Sequence, residues 1–406
     1  MTDHDHRRRA GFKERTRVAD ARTTFLDAVT PLDRTEQVDL ADADGRTLAE
    51  AITAPRAVPH YRRAAMDGYA VRATDTHGAS SRNPAVLRGG DVERVHTGSP
   101  VPEWANAVVM IEQASELAGD IEVSDAVAEG ENVAPIGEDV ESGQQLYDPG
   151  HELRPSDLGL LKAVGLDTVE VFDRPDVAVI PTGEELVQSH PGPGEVIETN
   201  GLTVSRLVER WGGTARYEDV VTDDEAALRD AIETNADADI VVTTGGSSVG
   251  ERDLIPDVVS DLGEVLVHGV ALRPGHPVAL GYALDTPIVM LPGYPVACIV
   301  NAVQFLRPAL KHAGNQSLTD PPTVDATLDG KIRSEPGVRT FARVTLAETE
   351  SDTANATDRT ATPVRAGGSG VLSSVALSDG WVVVPESVEG YAAGDTVPVE
   401  RWEWSP

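Results

Sequence analysis

At 406 residues, 40% of them hydrophobic and 25% charged, the chain is long enough for two to four domains and too apolar for general disorder. Its 67 acidic side chains outnumber 34 basic ones, a formal net charge of -33 that excludes nucleic acid as a natural partner and points to a source where high internal salt screens self-repulsion. No apolar run approaches the roughly eighteen residues of a membrane span, and the start is polar and basic without a hydrophobic leader segment; the reading is a cytoplasmic, unexported protein with no membrane partner.

The first residues, with His4, Asp5 and His6, form a tail expected to be disordered; the His-Asp-His triplet lacks a supporting shell for a metal. Helical spacing follows over residues 14–30, stopped by Pro31. From 51 to 140 the text turns to short β-like runs such as 105–111, punctuated by Pro55, Pro59, Gly89-Gly90, Pro100 and Pro102, which reads as a small all-β module. Residues 154–165 resume a helix, with Ser156 as its expected N-cap. A β insert between two helical pieces makes the surrounding domain discontinuous: 14–50 with 141–175 as connector, and 51–140 as inserted β domain.

From 176 to 320 buried apolar strands alternate with turns and helices. The strands expected are 177–180, 216–221, 240–243 and 287–291, the pattern of a mostly parallel α/β sheet covered on both faces. Cys298, in the apolar run 296–300, reads as a small buried hydrophobe; as the single cysteine it excludes a disulfide and a cysteine-cluster zinc site. The last stretch, 321–406, alternates in short runs broken by Gly and Pro and is expected to form a β-barrel or sheet.

In a parallel α/β sheet the ligand lies beyond the carboxyl ends of the strands, so the turns there are where chemistry belongs. The first is Pro181-Thr182-Gly183-Glu184-Glu185, where Thr182 with Glu185 also fits a helix capping box. The second, Thr243-Thr244-Gly245-Gly246-Ser247-Ser248 running on to Asp253, combines glycines that let backbone N–H groups wrap an anion with hydroxyl donors, an oxyanion cradle without the Walker A spacing. The third pairs Arg273-Pro274-Gly275-His276-Pro277 with Pro292-Gly293-Tyr294-Pro295, two rigid turns in which Arg273 and His276 suit an oxyanion. Asp223, after the strand ending at Val221, marks a fourth turn and doubles as a possible helix cap. Asp223, Asp253 and Glu185 can jointly hold Mg²⁺ beside a phosphate, since that ion takes one or two carboxylates plus substrate oxygens. The residues alone therefore yield a phosphate-containing ligand, Mg²⁺ and an oxyanion pocket.

Taken in order, Ala65-Met-Asp-Gly-Tyr-Ala-Val71, Thr97-Gly-Ser-Pro-Val-Pro102, Gly137-Glu-Asp139, Thr182-Gly-Glu-Glu-Leu186, Thr244-Gly-Gly-Ser-Ser-Val-Gly250 with Asp253, and Leu291-Pro-Gly-Tyr-Pro295 resemble the MoeA family of molybdopterin molybdenumtransferases, to which the gephyrin E domain belongs. The resemblance runs from about residue 20 to about residue 400 and implies a central molybdopterin-binding parallel α/β domain, an inserted β domain and a C-terminal β-barrel domain. It further implies a homodimer with an active site shared between subunits. By the family pattern Asp67, Thr97, Glu185, Asp223 and Asp253 surround an adenylylated molybdopterin and its Mg²⁺. Ser248, Arg273, His276 and a serine of Ser373-Ser374, here Ser374, face molybdate, with Arg343 from the last domain. The activity implied is insertion of molybdate coupled to release of AMP.

Three departures stand out: Arg63-Ala64 where the family often has Asn-Ser, Arg273 and His276 where it often has two lysines, and Tyr294 where Asn is usual. Lysine scarcity, with only Lys13, Lys162, Lys311 and Lys331 in the chain, offers a compositional cause for the second. Alternatives to keep in view are the related adenylyltransferase, which needs only the α/β domain, a tungstate-inserting paralogue, and a non-catalytic gephyrin-like scaffold.

Overall fold

The structure, a computed structural model, describes residues 15–245, 254–349, 358–364 and 368–404. It divides into two compact units, residues 36–171 and residues 1–35 with 172–406.

In the unit of residues 36–171, Gly68–Val71 is the middle strand of a three-stranded antiparallel sheet, between Glu93–Val95 and Ala107–Met110. Successive side chains point to opposite faces: Tyr69, Val71 and Val109 pack with Leu87, Ile121 and Val123 of a second three-stranded sheet, while Ala70, Val95 and Val108 form a core on the other side. Gly68 is required by a close cross-strand approach, because a Cβ there would lie 1.9 Å from the Val109 carbonyl oxygen. A separate core of Leu40, Leu48, Leu153, Leu161 and Val171 gathers around the helix Pro155–Ala163. That helix is capped at Arg154, not Ser156. Pro155 takes the first helical position with its fixed φ, and the Asp157 carboxylate accepts the Arg154 backbone N–H at 3.0 Å.

The other unit begins with α1 (Val18–Leu26), shorter than the expected 14–30, and centres on a six-stranded sheet. Its strands are β1 (Asp176–Pro181), β2 (Thr214–Tyr217), β3 (Ile240–Thr244), β4 (Gly263–His268), then, after the short β5 (Leu272–Arg273), β6 (Ala279–Ala283) and β7 (Thr286–Leu291). The order is β2-β1-β3-β7-β6-β4, with the first four parallel and β6 antiparallel to both β7 and β4. Alternation explains why these strands read as unbroken apolar runs: Val177 and Val179 enter one core, Ala178 and Ile180 the other, and both faces are covered. Helices α2 (Asn200–Arg210) and α5 (Pro295–Asn301) lie on the first face with α1; α3 (Glu225–Thr234) and α4 (Leu254–Leu262) lie on the second. Each fully buried Val, Leu or Ile in these layers contributes about 1.5–3 kcal/mol. Cys298 sits inside α5 at 1% exposure, where burial pushes its thiol pKa up and leaves it unreactive.

A barrel follows, built from β8 (Thr323–Leu328), β9 (Ile332–Arg333), β10 (Arg339–Thr349), β11 (Asp358–Pro363), β12 (Gly380–Val384), β13 (Gly390–Tyr391) and β14 (Thr396–Glu400). Its sheet runs β5-β10-β11-β8-β14-β12 and closes through β10–β12. The fold is thus a multidomain α/β plus β architecture with a closed C-terminal β-barrel. β5 belongs to the barrel sheet although it lies in sequence inside the α/β region, with Leu272 opposite Arg339 and Arg273 opposite Thr340. Phe341, Trp381 and Trp402 attach barrel to α/β layer, the two indoles stacked at 4.9 Å between centroids and buried in the same core as α5.

Candidate active site

Register places three strand ends side by side: Pro181 of β1 opposite Thr244 of β3, and Thr244 opposite Leu291 of β7. The turns that follow hold one another through backbone. Thr182 N–H donates to the Thr244 carbonyl at 3.2 Å, Gly183 N–H to Val221 at 3.0 Å, and Gly245 N–H to Leu291 at 3.1 Å. Gly245 has φ +130°, and a Cβ there would stand 2.1 Å from the Thr182 carbonyl oxygen, so only glycine lets the two turns meet. Pro292 and Gly293 follow β7, and Pro295 opens α5 at its first position. The Asn200 amide donates to the Gly293 carbonyl at 2.8 Å, fixing the start of α2 to this edge.

The expected capping box at Thr182 and Glu185 does not form. No helix follows; Leu186–Val187 instead pairs in parallel with Val196–Ile197, and the next helix waits until Asn200. Among the described residues the hydroxyls of Thr182, Thr243 and Thr244 are buried without a partner, each a group that ordinarily costs about 1–3 kcal/mol if left unsatisfied. Asp223 is likewise not the cap of α3. That role falls to Asp224, whose carboxylate accepts from the Ala226 and Ala227 backbones. Among the described residues Asp223 Oδ1 is buried without a partner, and the carboxyl's pKa is raised by burial and then by the charges of Glu185 and Glu184.

These turns form one wall of a cavity of about 1250 Å³, and the barrel forms the other. Thr182, Glu185, Thr244, Gly245, Pro292 and Pro295 line the first wall; Arg273, Pro274, His276 and Arg343 line the second, together with Lys331 and Arg333. Among the described residues the lining carries four Lys or Arg side chains against two carboxylates, Glu185 and Glu198. In a chain with 67 acidic to 34 basic side chains, the cavity reverses the sign of the whole molecule. Arg343 is lowered in pKa by burial, and its Nε is buried without a partner among the described residues. Arg273 donates through Nη1 to Glu335 at 2.5 Å. The His276 pKa is lowered by burial first, then by Arg15 and Arg273, so this imidazole is neutral at pH 7 and does not replace a lysine charge.

In the unit of residues 36–171, Asp67 Oδ1 accepts from Thr97 through its backbone N–H at 2.7 Å and its hydroxyl at 2.8 Å, with His96 Nδ1 at 3.7 Å from Oδ2. These contacts, led by the Thr97 backbone, hold the exposed carboxyl below its usual range and keep it ionised. Ser374 is not among the cavity-lining residues: its hydroxyl donates to the Val371 carbonyl at 2.6 Å and is spent on that turn. Gly246, Ser247, Ser248 and Asp253, like the His4–His6 tail, lie outside the described residues.

The description MoeA N-terminal region (domain I and II) matches residues 16–165, a probable molybdopterin binding domain matches 178–312, and the MoeA C-terminal region (domain IV) matches 325–402. A putative molybdopterin biosynthesis protein of Methanocaldococcus jannaschii is 36% identical over 385 residues, covering 90% of this chain and 92% of that protein. The chain belongs to the MoeA family. The molybdopterin molybdenumtransferase of Bacillus subtilis is 32% identical over 406 residues, 91% of this chain and 92% of its own length. Among solved structures, a MoeA protein of Pyrococcus horikosii superposes with a TM-score of 0.81 at 32% identity, covering 96% of this chain and all of that one. Both matched regions line the MoeA cavity: the strand-end turns together with Arg273, Pro274 and His276 come from the molybdopterin binding domain, and Lys331, Arg333 and Arg343 from the C-terminal region.

Among the lining residues that escaped sequence reasoning are Glu198, Asn200, Lys331 and Arg333. Glu198, 5% exposed, accepts from the Gly201 N–H at 2.6 Å and from the Tyr217 hydroxyl, and Asn200 two residues on opens α2. The signal for both was the polar Glu198-Thr199-Asn200 before an amphipathic helix. For Lys331 and Arg333 it was a charged pair flanking one buried isoleucine.

Proposed function

We propose that the chain is a molybdopterin molybdenumtransferase, an enzyme of molybdenum cofactor biosynthesis that inserts molybdate into adenylylated molybdopterin and releases AMP. The observation that carries this reading is the cationic cavity at the carboxyl edge of the central sheet. An acidic protein concentrates positive charge only where an anion is to be held, and the family's two substrates are both anions. Arg343 and Arg273 hold the oxyanion from the barrel side, and the unpartnered Thr182 and Thr244 hydroxyls stand at the opposite wall. Placement of the two reactants and stabilisation of charge in the transition state supply most of the rate.

The carboxylates present fit Mg²⁺. Asp223 has a buried oxygen without a partner among the described residues, and its proton affinity is raised by burial and then by the charges of Glu185 and Glu184, a repulsion that a divalent cation relieves. When bound, the ion neutralises charge on the phosphoanhydride. Glu185 and Asp223 would hold it, with Asp253 as third ligand. Asp67 and Thr97 are assigned to the same reaction in a cytoplasmic homodimer whose cleft is shared between subunits, and the net charge of -33 assigns the working medium to high salt.

The deciding experiment incubates the protein in high potassium chloride with adenylylated molybdopterin, Mg²⁺ and molybdate, and follows AMP. Release that requires molybdate, with reconstitution of a cofactor-free molybdoenzyme, is the expected result. Consumption of ATP would assign the adenylyltransferase step instead, and no turnover from a folded dimer would leave a scaffold.

A further inference from the structure

Two cations in the cavity have no part in the scheme above. Lys331 and Arg333 flank Ile332, which is 4% exposed and packs into the barrel core, so the period of two sends both charged side chains out on the same face, and both line the cavity. Their Cα atoms are about 6.6 Å apart on that geometry, a spacing suited to two adjacent phosphate groups rather than to one small tetrahedral ion.

Among the described residues neither side chain makes an ion pair or a hydrogen bond; exposed arginines such as Arg17, Arg82, Arg88 and Arg401 share that state, but those do not line the cavity. Arg34, Arg46, Arg154, Arg216, Arg229 and Arg339 each hold a carboxylate. With two acids for every base, an unengaged cation has many carboxylates to choose from. Glu335, only two residues beyond Arg333, takes Arg273 instead and leaves Lys331 and Arg333 uncompensated. Lysine stands at only four positions in the whole chain, and this cavity has one of them. An arginine fork beside a lysine point charge is a donor set for phosphate oxygens.

We propose that Lys331 and Arg333 form a phosphate clamp for the phosphoanhydride of the substrate, separate from the positions that hold molybdate. The identity of the substrate rests on the proposed function; the existence of a diphosphate-binding clamp does not.

The test is direct binding to the full-length protein at one fixed potassium chloride concentration without Mg²⁺, titrating inorganic pyrophosphate and, separately, molybdate. In the double variant Lys331→Gln/Arg333→Gln, pyrophosphate affinity should fall about 10- to 100-fold, the loss expected for two charge-assisted contacts, while molybdate affinity stays within about two-fold. Arg333→Lys, which keeps the charge, should recover most of the loss. Both residues are exposed, so the variants should keep the wild-type circular dichroism and unfolding midpoint. Unchanged pyrophosphate affinity would overturn the proposal, as would an equal loss for both anions, which would mean that the pair acts only as a distant field. Pyrophosphate bound through the clamp by a protein that never releases AMP would sink the transferase reading and leave the clamp standing.

Discussion

The two walls of the cavity are made by different physics. The α/β wall consists of short side chains and backbone, with Thr182, Gly183 and Gly245 tied to the neighbouring turns through main-chain hydrogen bonds and positioned by strand register. The barrel wall carries long cationic side chains, Arg273, Lys331, Arg333 and Arg343. The first wall takes its geometry from the sheet, so its backbone and hydroxyl contacts should respond little to salt. The second acts through charge, so salt and pH modulate it. Substitutions in the first wall should therefore damage fold and activity together, whereas those in the second should change affinity and leave the fold alone.

The sharpest way to break this contrast is Gly245→Ala. The added methyl must find room 2.1 Å from the Thr182 carbonyl oxygen at φ +130°, so either the Thr182 turn or the end of β3 has to move. Overpacking and an unfavourable backbone angle each cost about 1–3 kcal/mol. The unfolding midpoint should drop, and AMP release should fall at least about 100-fold, because a displacement of about 1 Å among reacting groups costs that much. A variant with wild-type midpoint and turnover would show that the turns are not rigidly coupled.

A second substitution separates charge from scaffold beside the first wall, at Asp223 on the turn after Val221. In Asp223→Asn the shape is kept and the repulsion with Glu185 and Glu184 is removed. Because the folded state raises this carboxyl's pKa, the folded chain holds its proton more tightly than the unfolded chain. The group therefore contributes stability at acid pH, and that contribution is lost as pH rises through the raised pKa. At neutral pH the variant should melt at the same temperature as wild type or higher, and thermal melts from acid to neutral pH should be flatter. Activity should nonetheless fall about 10- to 100-fold, with a weaker response to added Mg²⁺. Full activity would remove Asp223 from the reaction.

The same contrast explains what could be read in the chain. The first wall was legible because glycine and proline turns directly after apolar strands are local signals, and Thr182, Thr244, Gly245 and Pro292 all follow such strands. The helix cap at Thr182 was misread for the opposite reason. The local pattern was present, but the carbonyls of Thr244 and Val221 took the backbone donors of the turn, and the chain ran on into the strand pair 186–187 and 196–197. The second wall was mostly illegible. Lys331 and Arg333 reach the cavity only because β5 pairs with β10 and carries the barrel against the α/β layer, and sequence spacing does not encode that long-range pairing.

The smallest predicted effect belongs to His276, which stands on the charged wall but lacks a charge at pH 7. Burial lowers its pKa, Arg15 and Arg273 lower it further, and Glu335 opposes them. Below its ordinary value near 6.5 the unfolded chain takes the proton before the folded one does, so acidification from there costs stability until the lowered folded pKa is reached. Over the same range the cavity gains a positive charge as the imidazole protonates. Molybdate affinity at fixed salt should therefore rise a few-fold between about pH 7.5 and about pH 5.5 in the wild type and stay nearly flat in His276→Gln. Calorimetric titration at several pH values measures both slopes. Equal slopes in the two proteins would place the pH response elsewhere on the wall and make His276 a spacer; a wild-type affinity already maximal at pH 7.5 would mean that the imidazole carries its charge there after all.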